Sequence, residues 1–192
     1  MAELVLGSGS ATRRAMLEQA GLAFEAVSPD VDEDAVKDGW TGDPAGLAAE
    51  LARAMALEVS ARRPDAIVIG GDQVLDLDGE MFSKPGDRAG ARDHLRRLSG
   101  RTHHLRTAMA LARDGAILFE AASAPALTLW PLGPDEIEAY LDAAPDSAWA
   151  TVGGYQVEGP GIRLFERIEG GWHDIMGLPL LRLIGWLREN AA

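Results

Sequence analysis

The chain predicts an α/β protein built on a mixed, twisted sheet flanked by helices. Three observations carry this. Short apolar runs that end in glycine alternate with longer runs of helical period. Two Asp-Gly dipeptides, Asp78-Gly79 and Asp114-Gly115, each separate strand-like runs and mark tight hairpins. Alternation alone would give a parallel sheet; the hairpins add antiparallel pairs, so the sheet is expected to be mixed.

The elements follow in order. Leu4-Val5-Leu6 reads as a short buried strand. Ser10 caps a helix from about Ala11 to Ala20, and Gly21 stops it. Phe24 to Val27 is a second strand, ended by Ser28-Pro29, and Asp30-Val31-Asp32-Glu33-Asp34 is an acidic loop. Asp43-Pro44 is an N-cap followed by proline at the first helical position; the Ala/Leu-rich run behind it reaches about Ala61 with Leu47, Leu51, Ala54 and Leu57 on one face. Ala66 to Gly71 is the third strand, and Val74–Leu77 with Met81-Phe82 forms the first hairpin. A helix spans Arg88 to Leu98, and His103 to Ala112 and Ala116 to Trp130 make two long paired strands. Pro134 opens a helix through Leu141, Gly161 to Ile168 is a strand, and Pro179 starts a closing helix with Leu180, Leu183, Ile184 and Leu187 facing inward. No repeat or linker divides the chain, so residues 1–192 are expected to form a single domain.

Composition narrows the function. Eighteen basic and thirty acidic residues give 18 − 30 = −12, which argues against tight nonspecific binding to DNA or RNA. A nucleotide is not excluded, because local arginines bind phosphate inside an acidic protein. With no cysteine, thiolate metal sites, disulfides and cysteine nucleophiles are ruled out. No apolar run is long enough to span a bilayer, and Met1-Ala2-Glu3 lacks the basic region of a signal peptide, so a cytoplasmic location is expected.

Asp72 is the most informative residue. In Ile67-Val68-Ile69-Gly70-Gly71-Asp72-Gln73 an apolar strand runs through two glycines into an acid, which can then meet a ligand or metal at close range. Gly7-Ser8-Gly9-Ser10-Ala11-Thr12-Arg13-Arg14 suits an anion: small residues bring N–H groups near phosphate oxygens, the helix start adds positive charge, and the arginines offer paired contacts. The plain alternative is an ordinary strand-to-helix turn with surface arginines. The loop is neither a Walker loop nor a dinucleotide fingerprint. Glu33 can hold a divalent cation, whereas Asp32 and Asp34 read as solvated. Lys84-Pro85 sets a cation on stiffened chain. Arg101 or Thr102 reaches a ligand or merely follows a helix stop, and the Gly153–Gly161 stretch with Glu158 wraps a ligand or forms a surface loop. Gly177-Leu178-Pro179-Leu180 reads as the start of the last helix.

These pieces, in this order, resemble the Maf family of nucleoside triphosphate pyrophosphatases. The resemblance rests on Ser8-Gly9-Ser10 with Arg13, Asp32-Glu33, Gly71-Asp72-Gln73, Lys84-Pro85, Leu98 to His103, Gly153 to Gly161, and Gly177 to Leu180, and so covers almost the whole chain. It implies a fold with a deep cleft, like that of the inosine triphosphate pyrophosphatases. It also implies a divalent metal (Mg, Mn or Co), and cleavage of a nucleoside triphosphate to monophosphate and pyrophosphate. Asp72 would be the general base and, with Glu33, a metal ligand. Ser8, Ser10, Thr12, Arg13, Arg53, Gln73, Lys84 and Glu158 would bind substrate. Members often dimerise, so a homodimer is an expectation resting on the resemblance alone.

Gln73 and Glu158 match the 7-methyl-GTP type of that family, whereas the dTTP/UTP type has Thr and Gln there. A carboxylate suits guanine N–H donors and the positive charge of a methylated guanine. Three positions depart from the pattern. Thr12 stands where the two types have Trp or Arg, Ala11 replaces Pro, and Arg53 replaces Lys. The rival readings are a dTTP/UTP pyrophosphatase and a nucleotide-binding regulator of cell division that turns nothing over.

Overall fold

The apolar runs form the strands and the capped runs form the helices. The computed structural model describes residues 3–190; Met1, Ala2, Ala191 and Ala192, the ends of the expected domain and of the leader-less N-terminus, lie outside the described residues. The strands are β1 (Leu4–Gly7), β2 (Glu25–Ala26), β3 (Ile67–Leu77), β4 (Glu80–Phe82), β5 (Thr102–Arg113), β6 (Ala116–Ser123), β7 (Ala126–Leu129) and β8 (Phe165–Glu169). The helices are α1 (Ala11–Gln19), α2 (Glu33–Asp38), α3 (Pro44–Arg62), α4 (Arg88–Leu98), α5 (Pro134–Ala143), α6 (Trp172–Ile175) and α7 (Leu180–Asn190). Parallel and antiparallel pairs both occur, so the sheet is mixed, as expected. No described helix is long and apolar enough to cross a membrane. The chain divides into two units.

The first unit holds the residues up to Gln73, Arg106–Ala124 and those from Gly171 onward. Here β1 pairs in parallel with β2 and β3, and β5 pairs antiparallel with β6. Strand alternation sends Leu4, Leu6 and Ile69 to one face, where they pack with Met16 and Leu17 of α1 and Leu180 and Leu183 of α7. Val5 and Val68 point to the other face and meet Val59 of α3. Both faces of these strands are therefore covered, which is why the runs are continuously apolar. Gly70 is where α3 comes closest: a Cβ there would overlap the Ala52 carbonyl and lie 2.6 Å from the Ala56 nitrogen.

The second unit comprises Val74–Leu105 and Pro125–Gly170. The β3–β4 hairpin turns at Asp78 and Gly79, both with positive φ (54° and 89°), the geometry that Asp-Gly favours. Asp76 secures it by accepting the Gly79 N–H at 2.7 Å. β7 pairs antiparallel with the start of β5 and with β8. α4 packs on α5, and Arg88 and Arg92 of α4 make ion pairs with Glu138. His103 of β5 is fully buried, with Nε2 2.6 Å from the Tyr155 hydroxyl and no partner for Nδ1.

Several elements differ from expectation. Ala66–Gly71 and Val74–Leu77 belong to one unbroken strand, β3. The strand expected from Ala116 to Trp130 is two, because Pro125 between them fixes φ and has no N–H for a ladder. Residues Pro160–Leu164 form a 3₁₀ turn, leaving β8 to begin at Phe165. The acidic loop is partly helical: Asp32 caps α2 by accepting the Ala35 N–H at 3.0 Å, and Glu33 and Asp34 suit the positive helix start. α6 was not anticipated at all; four residues show no period.

Two predictions follow from this packing. Gly70→Ala should lower stability by at least about 2 kcal/mol, since backbone and not a flexible side chain blocks the added methyl. Gly185→Ala in α7, where nothing lies within 4 Å, should raise stability by up to about 1 kcal/mol. Urea unfolding of both variants measures this, and a neutral Gly70→Ala would contradict the close approach. Burial, helped by the charge of His104, pulls the His103 pKa down to about 3. The unfolded chain binds that proton near pH 6.5, so this residue makes stability fall as pH drops from about 6.5 toward 3, by up to about 1.4 kcal/mol per pH unit. By NMR the His103 ring should stay neutral at pH 5; a midpoint near 6.5 would contradict its burial.

Candidate functional site

The turn from β1 into α1 is organised by two serines. Ser10 caps the helix, its Oγ accepting the Arg13 N–H at 3.3 Å. Ser8 is buried, and its Oγ accepts both the Ser10 N–H at 3.3 Å and Arg13 Nη1 at 3.1 Å. Arg13 is buried as well, while Arg14 beside it is exposed, so the two arginines expected to act together part company.

Arg13 occupies a slot that only glycines permit. Its Nε donates to the Gly177 carbonyl at 2.7 Å. A Cβ at Gly71 would lie 3.3 Å from Nε, and one at Gly177 would lie 3.5 Å from Nη2. Gly177 also has φ +97°, which side-chain-bearing residues rarely adopt. Nε and Nη1 are held by the protein; Nη2 has no protein acceptor among the described residues. A guanidinium so fixed presents its open edge to an oxyanion without losing further side-chain freedom.

Asp72 follows the slot directly. Burial raises its pKa, the Arg13 charge pulls it down, Glu33 pushes it up again, and the Gln73 N–H and Lys37 pull it down, with a net rise. For Arg13, burial lowers the pKa while Asp72 and Glu33 raise it; it stays cationic at neutral pH, as arginine does in proteins. Asp72, Glu33 and Arg13 thus share one electrostatic environment in which the acid is a better base than a solvated aspartate. Glu33 itself pairs with Lys37 at 3.3 Å.

The donor set suits a hard divalent cation. No group of three or more His, Cys, Asp or Glu side chains could cage a metal among the described residues. Magnesium characteristically takes one or two carboxylates and completes its shell with water and substrate phosphates. Asp72 and Glu33, each felt by the other, fit that habit.

Gln73, expected at the substrate, has its amide nitrogen engaged elsewhere. It lies 2.7 Å from Thr107 Oγ1 and 3.1 Å from the carbonyls of both Asp174 and Ile175. Two carbonyls that can only accept fix which end of the amide faces them. Only Oε1 is left without a protein partner among the described residues. Arg53 has both Nη atoms on carboxylates, Glu50 at 2.7 Å and Glu120 at 2.8 Å. Thr12 is partly exposed on the first turn of α1. Lys84 and Glu158 belong to the second unit, Lys84 between β4 and α4 and Glu158 ahead of the Pro160–Leu164 turn; both are exposed.

Sequence reasoning missed three contributors. Lys37 stands four residues after Glu33, a spacing that does signal a helical ion pair once α2 is recognised. Thr107, in the middle of a strand, gave no signal. Gly177 was read as a helix start, yet its carbonyl holds Arg13; a backbone acceptor cannot be seen in a sequence.

The rise in the Asp72 pKa is a statement about stability. A carboxyl whose folded pKa exceeds its unfolded one favours folding below the unfolded value and opposes it as pH rises through the folded value. Asp72→Asn should therefore unfold at a higher temperature than wild type at pH 7. The gain should shrink as pH falls toward the ordinary carboxylate range near ~4. Melting curves at several pH values check this; a variant less stable at pH 7 would contradict it.

Comparison with known proteins agrees with this arrangement. The profile of the family described as Maf-like protein matches residues 3–190. A relative from Nitrobacter hamburgensis, named nucleoside triphosphate pyrophosphatase, is 49% identical over 189 residues, covering 97% of this chain and 93% of its own. Two relatives named 7-methyl-GTP pyrophosphatase are similar: that of Mesorhizobium japonicum is 48% identical over 99% of this chain and 97% of its own, and that of Rhizobium etli 46% over 97% and 96%. With a whole-chain profile match and near-half identity over almost full length, the chain belongs to the Maf-like protein family.

Proposed function

We propose that the protein hydrolyses a nucleoside triphosphate to the monophosphate and pyrophosphate, with a divalent cation. The observation that carries this reading is a buried Asp72 of raised basicity beside the immobilised, open-edged guanidinium of Arg13. Asp72 takes a proton from a water whose oxygen attacks the α-phosphorus. The bond from the α-phosphorus to the bridging oxygen breaks, and pyrophosphate leaves with that oxygen. Arg13 Nη2 and the N–H groups at the start of α1 stabilise the negative charge of the phosphates. Asp72 and Glu33 would hold the cation, which supplies charge neutralisation and orientation of the triphosphate.

The remaining substrate contacts are part of the same proposal. Lys84 and Arg53 are assigned to phosphate charge, Ser8 and Ser10 to shaping the anion loop, and Thr12, Gln73 and Glu158 to the nucleoside. For Arg53 that role requires exchanging its Glu50 or Glu120 pairing for substrate. The preferred base is taken to be 7-methylguanine. Support comes from the names of two relatives and from the acceptors at Glu158 and Gln73 Oε1, which suit guanine N–H donors. Action in the cytoplasm and a homodimeric state complete the proposal.

A pyrophosphate-release assay on dTTP, UTP, CTP, GTP and 7-methyl-GTP, each with magnesium, manganese and cobalt, tests it. The expected result is strongest release from 7-methyl-GTP. A clear preference for the pyrimidine triphosphates would support the dTTP/UTP reading, and no release from any of them a regulator that only binds. Asp72→Asn should lower kcat by about a hundredfold or more while nucleotide binding survives; wild-type turnover in that variant would remove Asp72 from the mechanism.

A further inference from the structure

We propose that Gln73 and Thr107 are positioning residues that latch the Asp174–Gly177 segment, so that its Gly177 carbonyl holds Arg13 ready for the triphosphate. The inference rests on the pyrophosphatase reading for its kinetic consequences, though not for its geometry.

The latch is built from bonds to backbone carbonyls. Thr107 is buried; its hydroxyl donates to the Asp174 carbonyl at 2.9 Å and accepts from the Gln73 amide at 2.7 Å. The same amide lies 3.1 Å from the carbonyls of Asp174 and Ile175. Two strands, β3 and β5, thereby grip α6, an element of four residues that is too short to be stable by itself. Immediately after it the chain turns at Gly177, whose N–H donates to the Asp174 carbonyl at 3.1 Å, and Leu178 N–H donates to the His173 carbonyl at 3.1 Å. The carbonyl of Gly177 then takes the Arg13 Nε at 2.7 Å. Asp174 O is thus shared by Gln73, Thr107 and Gly177, and it links the strand ends to the arginine.

This gives Gln73 a different task from reading the base. A side-chain amide has two N–H donors, and three protein acceptors surround them. Loosening the latch frees Gly177 and lets Arg13 sample other orientations. Arg13 meets phosphate, which every nucleotide shares, so the loss falls equally on all bases. A base-reading amide would change the ranking of bases instead.

The test uses the full-length protein and three variants: Gln73→Met, Thr107→Val and Thr107→Ser. Hydrogen exchange of the Gly177 and Leu178 amides is measured without ligand, inorganic triphosphate binding by calorimetry, and KM with GTP, UTP and 7-methyl-GTP. Gln73→Met and Thr107→Val should speed exchange at both amides. They should also weaken inorganic triphosphate and raise all three KM values by one common factor, roughly three- to tenfold, as loss of one or two hydrogen bonds does. Thr107→Ser, which keeps the hydroxyl, should stay near wild type. A base-dependent change in Gln73→Met, or unaltered exchange in Thr107→Val, would overturn the proposal. If Gln73→Met fails to fold, the Thr107 pair decides. Should the wild type release no pyrophosphate from any triphosphate, the pyrophosphatase reading fails, while exchange and inorganic triphosphate binding still judge the latch.

Discussion

The attraction between Arg13 and Asp72 inside a partly dry environment is the constraint on which the site depends. Burial opposes charge on both groups, and each is kept ionised largely by the other. Such a pair is costly to assemble and gains little net stability, so its presence points to function more than to folding. The fold arranges the cost around backbone: Ser8 and the Gly177 carbonyl take two of the guanidinium nitrogens, and Gly71 and Gly177 leave the space. An alanine at either glycine would press on the arginine, which explains why the apolar strand β3 carries glycine just before its acid.

The sheet supplies the stiffness that this arrangement needs. Leu4, Leu6 and Ile69 anchor one face against α1 and α7, and Val5, Val68 and Gly70 anchor the other against α3. Arg13 leaves from the first turn of α1 and Asp72 from β3, so packing of α1 on the sheet sets their separation. Glu33 and Lys37 sit on the short helix α2, capped by Asp32 and more exposed than the pair they influence. Charge at the site is therefore graded from a fixed buried centre to an adjustable rim, which suits a cation that arrives and leaves with phosphate.

Much of this was legible in the sequence. Glycine stops, Asp-Gly turns and N-caps at Ser10, Asp43 and Asp87 are local chemistry, and most strands and helices they bound appear within a few residues of expectation. Asp72 and Arg13 announced themselves through the glycines beside them. What stayed hidden depends on tertiary context. α2 and α6 are too short to show a period, and the 3₁₀ turn at Pro160–Leu164 reads as strand because its apolar residues alternate with others. The task of Gln73 was misread for a related reason: its partners are Thr107 and two carbonyls about a hundred residues away, and only the fold brings them together. Arg53 likewise looked like a free cation until Glu120 of β6 was found beside it.

A double-mutant cycle on Arg13 and Asp72 tests the central claim most directly. Arg13→Met, Asp72→Asn and the double variant are compared with wild type by urea unfolding at pH 7. Removing Arg13 alone strands a buried carboxylate; removing it from the Asp72→Asn background does not. The account predicts that Arg13→Met costs less in that background, with a coupling of about 1 kcal/mol or more. Additive effects, within about 0.3 kcal/mol, would mean the two charges do not sense each other and would contradict it.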